Sequence, residues 1–198
     1  MKSRALITGA SSGIGFAYAK HLSKDGWVLD LISENEERSI RSKEALNYLL
    51  TRNLPEKTIN EFQLGYVPWQ NNFYDELLKK YSEEEINLTG LYYKNDKTGK
   101  YIDRFNSRII FPVNNLTGDT IAFGGRLIRE SNFAKYINSP ETEFYKKGNM
   151  IFNLDKAKNL RSETKEVLIV EGYMDVVSVY ASGIKNVIAN SGTALTER

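Results

Sequence analysis

Near its carboxyl end the chain carries an unbroken apolar run, Val167 to Val170, and then abruptly Glu171 and Gly172. Four apolar residues in a row predict a short strand buried on both faces. Gly172 suits a tight turn. Beyond it, Val176, Val177, Val179 and Tyr180 recur at helical spacing, which predicts a helix over Tyr173–Ala181 ended by Gly183. Ile184 to Ala189 is a second apolar run. The pattern is strand, helix, strand, with Glu171 at the carboxyl end of the first strand, where open α/β sheets place their chemistry.

The opening has the same texture. Ala5 to Thr8 reads as a strand, Ile14 to Lys24 as a helix closing at Gly26, and Trp27 to Ile32 as a second strand. Helices follow. Ser42 to Arg52 sets Ala45, Leu46, Leu49 and Leu50 on one face, and Glu56 to Phe62 is entered through Pro55. Gly65-Tyr66-Val67-Pro68 breaks the pattern. Asp75 to Tyr81 is a third helix, and Glu83-Glu84-Glu85 starts a fourth, its acids suited to a helix N-terminus.

After Gly90 the rhythm changes to short strands and turns. Leu91–Tyr93 and Tyr101–Phe105 flank the turn from Asn95 to Gly99, while Arg108–Val113 and Thr120–Phe123 flank the turn from Asn114 to Asp119. Short connections predict one antiparallel meander. The expected fold class is mixed α/β and α+β. It comprises a Rossmann-like βαβ fragment over residues 1–40, helices followed by a meander over 41–165, and an incomplete α/β unit over 166–198.

Composition narrows the chemistry. With 198 residues, 41% hydrophobic and 26% charged, the chain suffices for one or two cores. The absence of cysteine excludes disulfides, thiolate zinc sites and cysteine nucleophiles. A single histidine, His21, excludes multi-histidine metal sites and any Ser-His-Asp triad that does not use it. No apolar run approaches the ~20 residues of a membrane span, and no signal peptide precedes the first strand, so a cytoplasmic protein is expected. The net charge is +2, unevenly spread: Ile86 to Lys165 holds 14 Lys/Arg against 8 Asp/Glu, a local +6. A basic middle beside an acidic turn points towards polyanions such as nucleic acid.

Two motifs carry candidate chemistry. Glu171 and Asp175, at a strand end and in the first helical turn, are hard oxygen donors suited to Mg²⁺. The same two residues also fit a solvated strand end and a carboxylate favoured by the helix dipole. The other motif is Gly9-Ala10-Ser11-Ser12-Gly13-Ile14-Gly15, whose glycines would let backbone N–H groups approach a pyrophosphate.

With Thr8, Gly9, Gly13 and Gly15 in the order T-G-x-x-x-G-x-G, and with Glu34 to Arg38 after the second strand, the opening resembles short-chain dehydrogenases/reductases. That resemblance implies an NAD-like cofactor at Gly9, Gly13 and Gly15, with Glu34 disfavouring a 2′-phosphate. The family's Tyr-x-x-x-Lys spacing occurs here only as Tyr93 and Lys97, in a turn and not on a helix. The resemblance therefore implies a βαβ fragment without its active site.

From Lys43 onward five ordered stretches resemble the catalytic core of bacterial replicative DNA primases of the DnaG type. They are Ala45–Arg52 with Phe62–Pro68, Arg104–Val113, Ile121–Arg126, Lys135–Thr142 with Lys147-Gly148, and Glu171–Asp175, which opens that family's Toprim subdomain. The resemblance implies synthesis of short RNA primers on single-stranded DNA from ribonucleoside triphosphates, with Mg²⁺ or Mn²⁺. It implies Glu171 as an acid/base or metal-proximal carboxylate and Asp175 as the residue that holds the site at the helix start. Arg108, Arg126, Lys135 and Lys147 would meet template and nucleotide in a basic groove, with Asn138, Ser139 and Thr142 adding hydrogen bonds. The replicative helicase is the family's partner, but its docking region is not expected within these residues, and no membrane is implied. The family draws most of its metal-binding oxygens from an Asp-x-Asp motif, which this sequence lacks, so an incomplete metal site and impaired activity are expected. A non-catalytic single-strand binder and an NAD-dependent dehydrogenase remnant are the alternatives.

Overall fold

The computed structural model describes residues 4–8, 28–32, 36–69, 73–142, 145–160 and 164–190. Its central feature is a hairpin of β6 (Arg108–Asn114) and β7 (Thr120–Leu127), paired from Arg108↔Leu127 to Val113↔Ala122, with a register shift at Val113/Asn114. The Asn115 carboxamide oxygen accepts the N–H groups of Thr117 and Asp119, and Gly118 takes a φ of 87°, which closes the turn. β3 (Gly65–Val67) pairs along β6, and β8 (Tyr136–Asn138) along β7, so the antiparallel order is β3-β6-β7-β8. Pro112 lies on β6 beyond the reach of β3, where a missing N–H is tolerated.

Alternation along β6 builds two cores. Ile109, Phe111 and Val113 face one way, onto Ala45 and Leu49 of α1 (Glu36–Thr51) and onto Leu54, Ile59, Phe62 and Leu64 around α2 (Glu56–Glu61). Ile110 faces the other way, with Val67, Phe105 and Phe123. The larger core also takes in Phe152 just before α5 (Leu154–Ala157), Tyr173, Val176 and Val177 of α6 (Tyr173–Ala181), and the strand β10 (Val187–Ala189). The Tyr173 ring stacks on Phe111 at 5.3 Å between centroids and meets Phe152 edge-on at 4.8 Å. One apolar core thus joins the central sheet to the carboxyl-terminal unit.

Several expectations are corrected. The break in the helical pattern at Gly65–Val67 is itself a strand, because β6 supplies the pairing that three residues alone do not signal. The single meander is two ladders. Among the described residues β4 (Tyr92–Lys94) pairs only with β5 (Tyr101–Asp103), while β6 and β7 belong to the four-stranded sheet. The break falls between them, where Phe105 turns into the core and Ser107 takes a φ of 57°. Tyr74 of α3 (Phe73–Leu78) stacks on Tyr101 and meets Tyr92 edge-on, giving the small hairpin its own aromatic support. α4 (Glu83–Leu88) begins in a capping box between Ser82 and Glu85.

β9 (Leu168–Val170) runs parallel to β10, as the strand–helix–strand pattern requires. The expected burial of its run on both faces is not found: Val167, Leu168 and Ile169 are 48%, 40% and 50% exposed, whereas Val187 and Ala189 are fully buried. β10 is covered by α6 and bridged by Phe152, while β9, among the described residues, has a strand on one side only. At the other end, β1 (Arg4–Thr8) and β2 (Val28–Ile32) pair in parallel. The helix expected over Ile14–Lys24 and the residues Gly9, Gly13 and Gly15 lie outside the described residues. α1 begins at Glu36, earlier than the expected Ser42, and passes through the boundary expected at residue 40. Among the described residues no helix is long and apolar enough to cross a membrane.

Candidate nucleic-acid interface and carboxylate turn

The site is built on β7, where Gly124 and Gly125 leave no room for a side chain. A Cβ at Gly124 would stand 2.4 Å from the Tyr173 ring, and one at Gly125 would stand 2.6 Å from Phe105. Arg126 follows, 6% exposed. Its Nε donates to the Tyr48 hydroxyl at 2.7 Å, and its Nη1 donates to the Tyr136 hydroxyl. Burial works against the Arg126 charge, but Tyr136 and then Tyr48 outweigh it and leave the pKa raised. Among the described residues both hydrogen-bond partners are phenols, and no carboxylate hydrogen bond neutralises the guanidinium. Arg52 lies over the same Tyr48 ring at 5.4 Å.

Arg108 serves differently. It is as buried as Arg126, and its guanidinium donates to the carbonyls of Ala134 at 2.8 Å and Lys135 at 3.1 Å, with a longer contact to Gly125 at 3.5 Å. Burial lowers its pKa. The sequence suggests a groove residue meeting nucleotide, but here the side chain anchors the loop between β7 and β8. Lys135, at the end of that loop, is exposed.

The carboxylates come from the β9–α6 turn. Gly172 is the N-cap of α6 with extended backbone and no side-chain cap, and Asp175 lies in the first turn. Glu171 and Asp175 are both exposed. The Tyr173 hydroxyl donates to Asn138 Oδ1 at 2.6 Å, tying this turn to β8. Tyr136 on the same strand feels both sides of the site: burial raises its phenol pKa, Arg126 pulls it down, and Asp175 adds to the rise.

Glu171 and Asp175 match Mg²⁺ in donor type. Among the described residues no group of three or more His, Cys, Asp or Glu gathers to hold a metal. Mg²⁺ commonly binds through one or two carboxylates with water and substrate phosphates, and on those terms the two acids fit the ion.

The remaining expected residues have structural partners. Ser139 Oγ accepts the Phe123 N–H at 2.9 Å, which extends the β7–β8 pairing. Thr142 Oγ1 accepts the Tyr145 N–H at 3.1 Å. Lys147 is half-buried in a 3₁₀ turn, and its N–H donates to Glu141 at 3.0 Å. Tyr48, Tyr136 and Tyr173 carry the site's connections without having been singled out from the sequence. All three fall within the motifs that carry the resemblance, but nothing local pairs Tyr48 with Arg126, 78 positions away.

Comparison with known proteins agrees with this architecture. Residues 32–158 match the family described as the DNA primase catalytic core, N-terminal domain, and residues 165–198 match the Toprim domain. The DNA primase of Deinococcus radiodurans is 36% identical over 195 residues, covering 98% of this chain and 34% of that protein. The Escherichia coli primase catalytic core superposes with a TM-score of 0.70 at 33% identity, over 78% of this chain and 49% of that one. A DnaG primase catalytic domain bound to single-stranded DNA gives the same score and identity, over 79% and 49%. The chain spans about a third or less of the curated relatives it matches and about half of these solved chains.

Proposed function

The chain belongs to the bacterial DnaG-type DNA primase family, and from that premise we propose that it acts in the synthesis of short RNA primers on single-stranded DNA. The template and the ribonucleoside triphosphates bind where the β7–β8 loop meets the β9–α6 turn. Arg126, Lys135 and Lys147 attract phosphates, which basic side chains hold without reading sequence. Arg108 acts as a positioning residue, holding the loop that carries Lys135.

Glu171 and Asp175 would hold Mg²⁺ or Mn²⁺ together with nucleotide phosphates. Such an ion, when bound, neutralises phosphate charge and favours attack by a 3′-hydroxyl. The Tyr136 hydroxyl, which accepts from Arg126, lies on the strand that the acidic turn is tied to. The observation that carries the reading is the Tyr173–Asn138 hydrogen bond, which fixes the acidic turn against the basic sheet.

The test is binding of a labelled single-stranded oligonucleotide at two salt concentrations, with Arg126→Ala and Lys135→Ala as variants. Loss of one phosphate contact lowers the slope of log K against log salt by about 0.7 for a single strand. Binding that weakens with salt and with each substitution supports the reading. A folded sample that binds no oligonucleotide at low salt defeats it. Incorporation of labelled ribonucleotides with Mg²⁺, lost in Glu171→Gln, then separates synthesis from binding alone.

A further inference from the structure

Resting on that reading, we propose that Phe133 is a stacking platform for an unpaired base of the single-stranded template. Phe133 is 69% exposed on the loop between β7 and β8. Single exposed apolar residues are ordinary, so exposure alone carries nothing. What distinguishes this ring is the way its loop is held.

Arg108 reaches from the buried start of β6 to the carbonyls of Ala134 and Lys135, directly after Phe133. The Leu127 N–H donates to the same Lys135 carbonyl at 2.8 Å. On the other arm Arg129 grips both carboxylate oxygens of Glu44, at 3.2 and 3.0 Å. Between these anchors the Phe133 N–H donates to Ser131 Oγ at 3.2 Å. A side chain at such a place is presented in a defined position.

The surroundings specify the occupant. Lys135 is two residues on, and Arg126 is hydrogen-bonded to Tyr136, which is itself 39% exposed. An exposed aromatic ring beside positive charge suits single-stranded nucleic acid, whose phosphates follow the cations while bases stack on the ring. Stacking tolerates any base, since each has a π-face. Phe133 therefore contributes affinity without contributing sequence preference.

The experiment compares an oligothymidylate with an abasic oligomer of equal length and charge, using the full chain and its Phe133→Ala, Phe133→Leu and Phe133→Trp variants. Phe133→Ala should weaken oligothymidylate binding at least about fivefold, the lower end for one stacked base. Its abasic binding and its salt slope should match the unsubstituted chain. Phe133→Trp should restore affinity and Phe133→Leu should not, which separates stacking from simple apolar cover. Equal losses on both oligomers, or no loss on either, overturn the assignment while leaving the basic groove intact. If the unsubstituted chain binds neither oligomer, the groove reading fails and this inference falls with it.

Discussion

Replacing Gly124 with alanine tests the contact that sets the acidic turn against the sheet. An alanine Cβ would lie 2.4, 2.7 and 2.9 Å from three atoms of the Tyr173 ring. Carbon atoms prefer about 3.5–4.0 Å, so the ring would have to retreat by about 1 Å. It has nowhere to go. Phe111 stacks on it at 5.3 Å, Phe152 meets it edge-on, and its hydroxyl is held by Asn138. Overpacking a filled core costs about 1–3 kcal/mol, and losing the hydroxyl bond adds about 1 kcal/mol. Gly124 has no positive φ, so backbone strain does not enter.

The expected destabilisation is therefore about 2–4 kcal/mol, read from urea unfolding. The same substitution made in a Tyr173→Leu background should cost less than about 1 kcal/mol, because the clashing ring is gone. An unchanged urea midpoint, or an equal cost in both backgrounds, would refute the close contact as the determinant.

Other outcomes follow from the same geometry. Arg108→Met keeps the stem but removes the donors, and should cost about 1–3 kcal/mol while speeding amide hydrogen exchange over residues 128–135; unchanged exchange there would show that the loop is not anchored by Arg108. Tyr173→Phe deletes the 2.6 Å bond to Asn138 and should lower stability by about 1 kcal/mol, checked by urea unfolding. The Ser82 N–H, and then the Ser82 hydroxyl, hydrogen-bond the Glu85 carboxylate and hold its pKa below the usual glutamate value. A pKa depressed on folding stabilises above the unfolded value and loses that contribution as pH falls through the folded value. Glu85→Gln should therefore unfold at lower urea than the unsubstituted chain at about pH 6, with the gap closing towards about pH 3; a constant gap would contradict the capping role.

Much of the local structure was legible in sequence. The Val167–Asp175 stretch read correctly as strand, turn and helix because the apolar run, Gly172 and the helical spacing agree. The acids at Glu83 to Glu85 marked a helix start, and the turn from Asn114 to Asp119 marked a hairpin, since capping and turn chemistry act over three or four residues. Motif resemblance pointed to Arg126, Lys135, Glu171 and Asp175 as site candidates. It did not distinguish Arg108, which anchors backbone, from Arg126, which keeps a charge between phenols.

The sequence by itself thus determined which segments are strand or helix where a full period or a capping residue exists, and where the acidic turn falls. Tertiary structure alone decided that Gly65–Val67 and Tyr136–Asn138 are strands, because three residues show no periodicity and pairing comes from β6 and β7. It decided that β9 is exposed while β10 is buried, because burial depends on neighbours and not on a residue's own hydrophobicity. It also joined Tyr48 to Arg126 and Asn138 to Tyr173. Those hydrogen bonds require distant segments to pack within 3 Å, and local propensity carries no record of that distance.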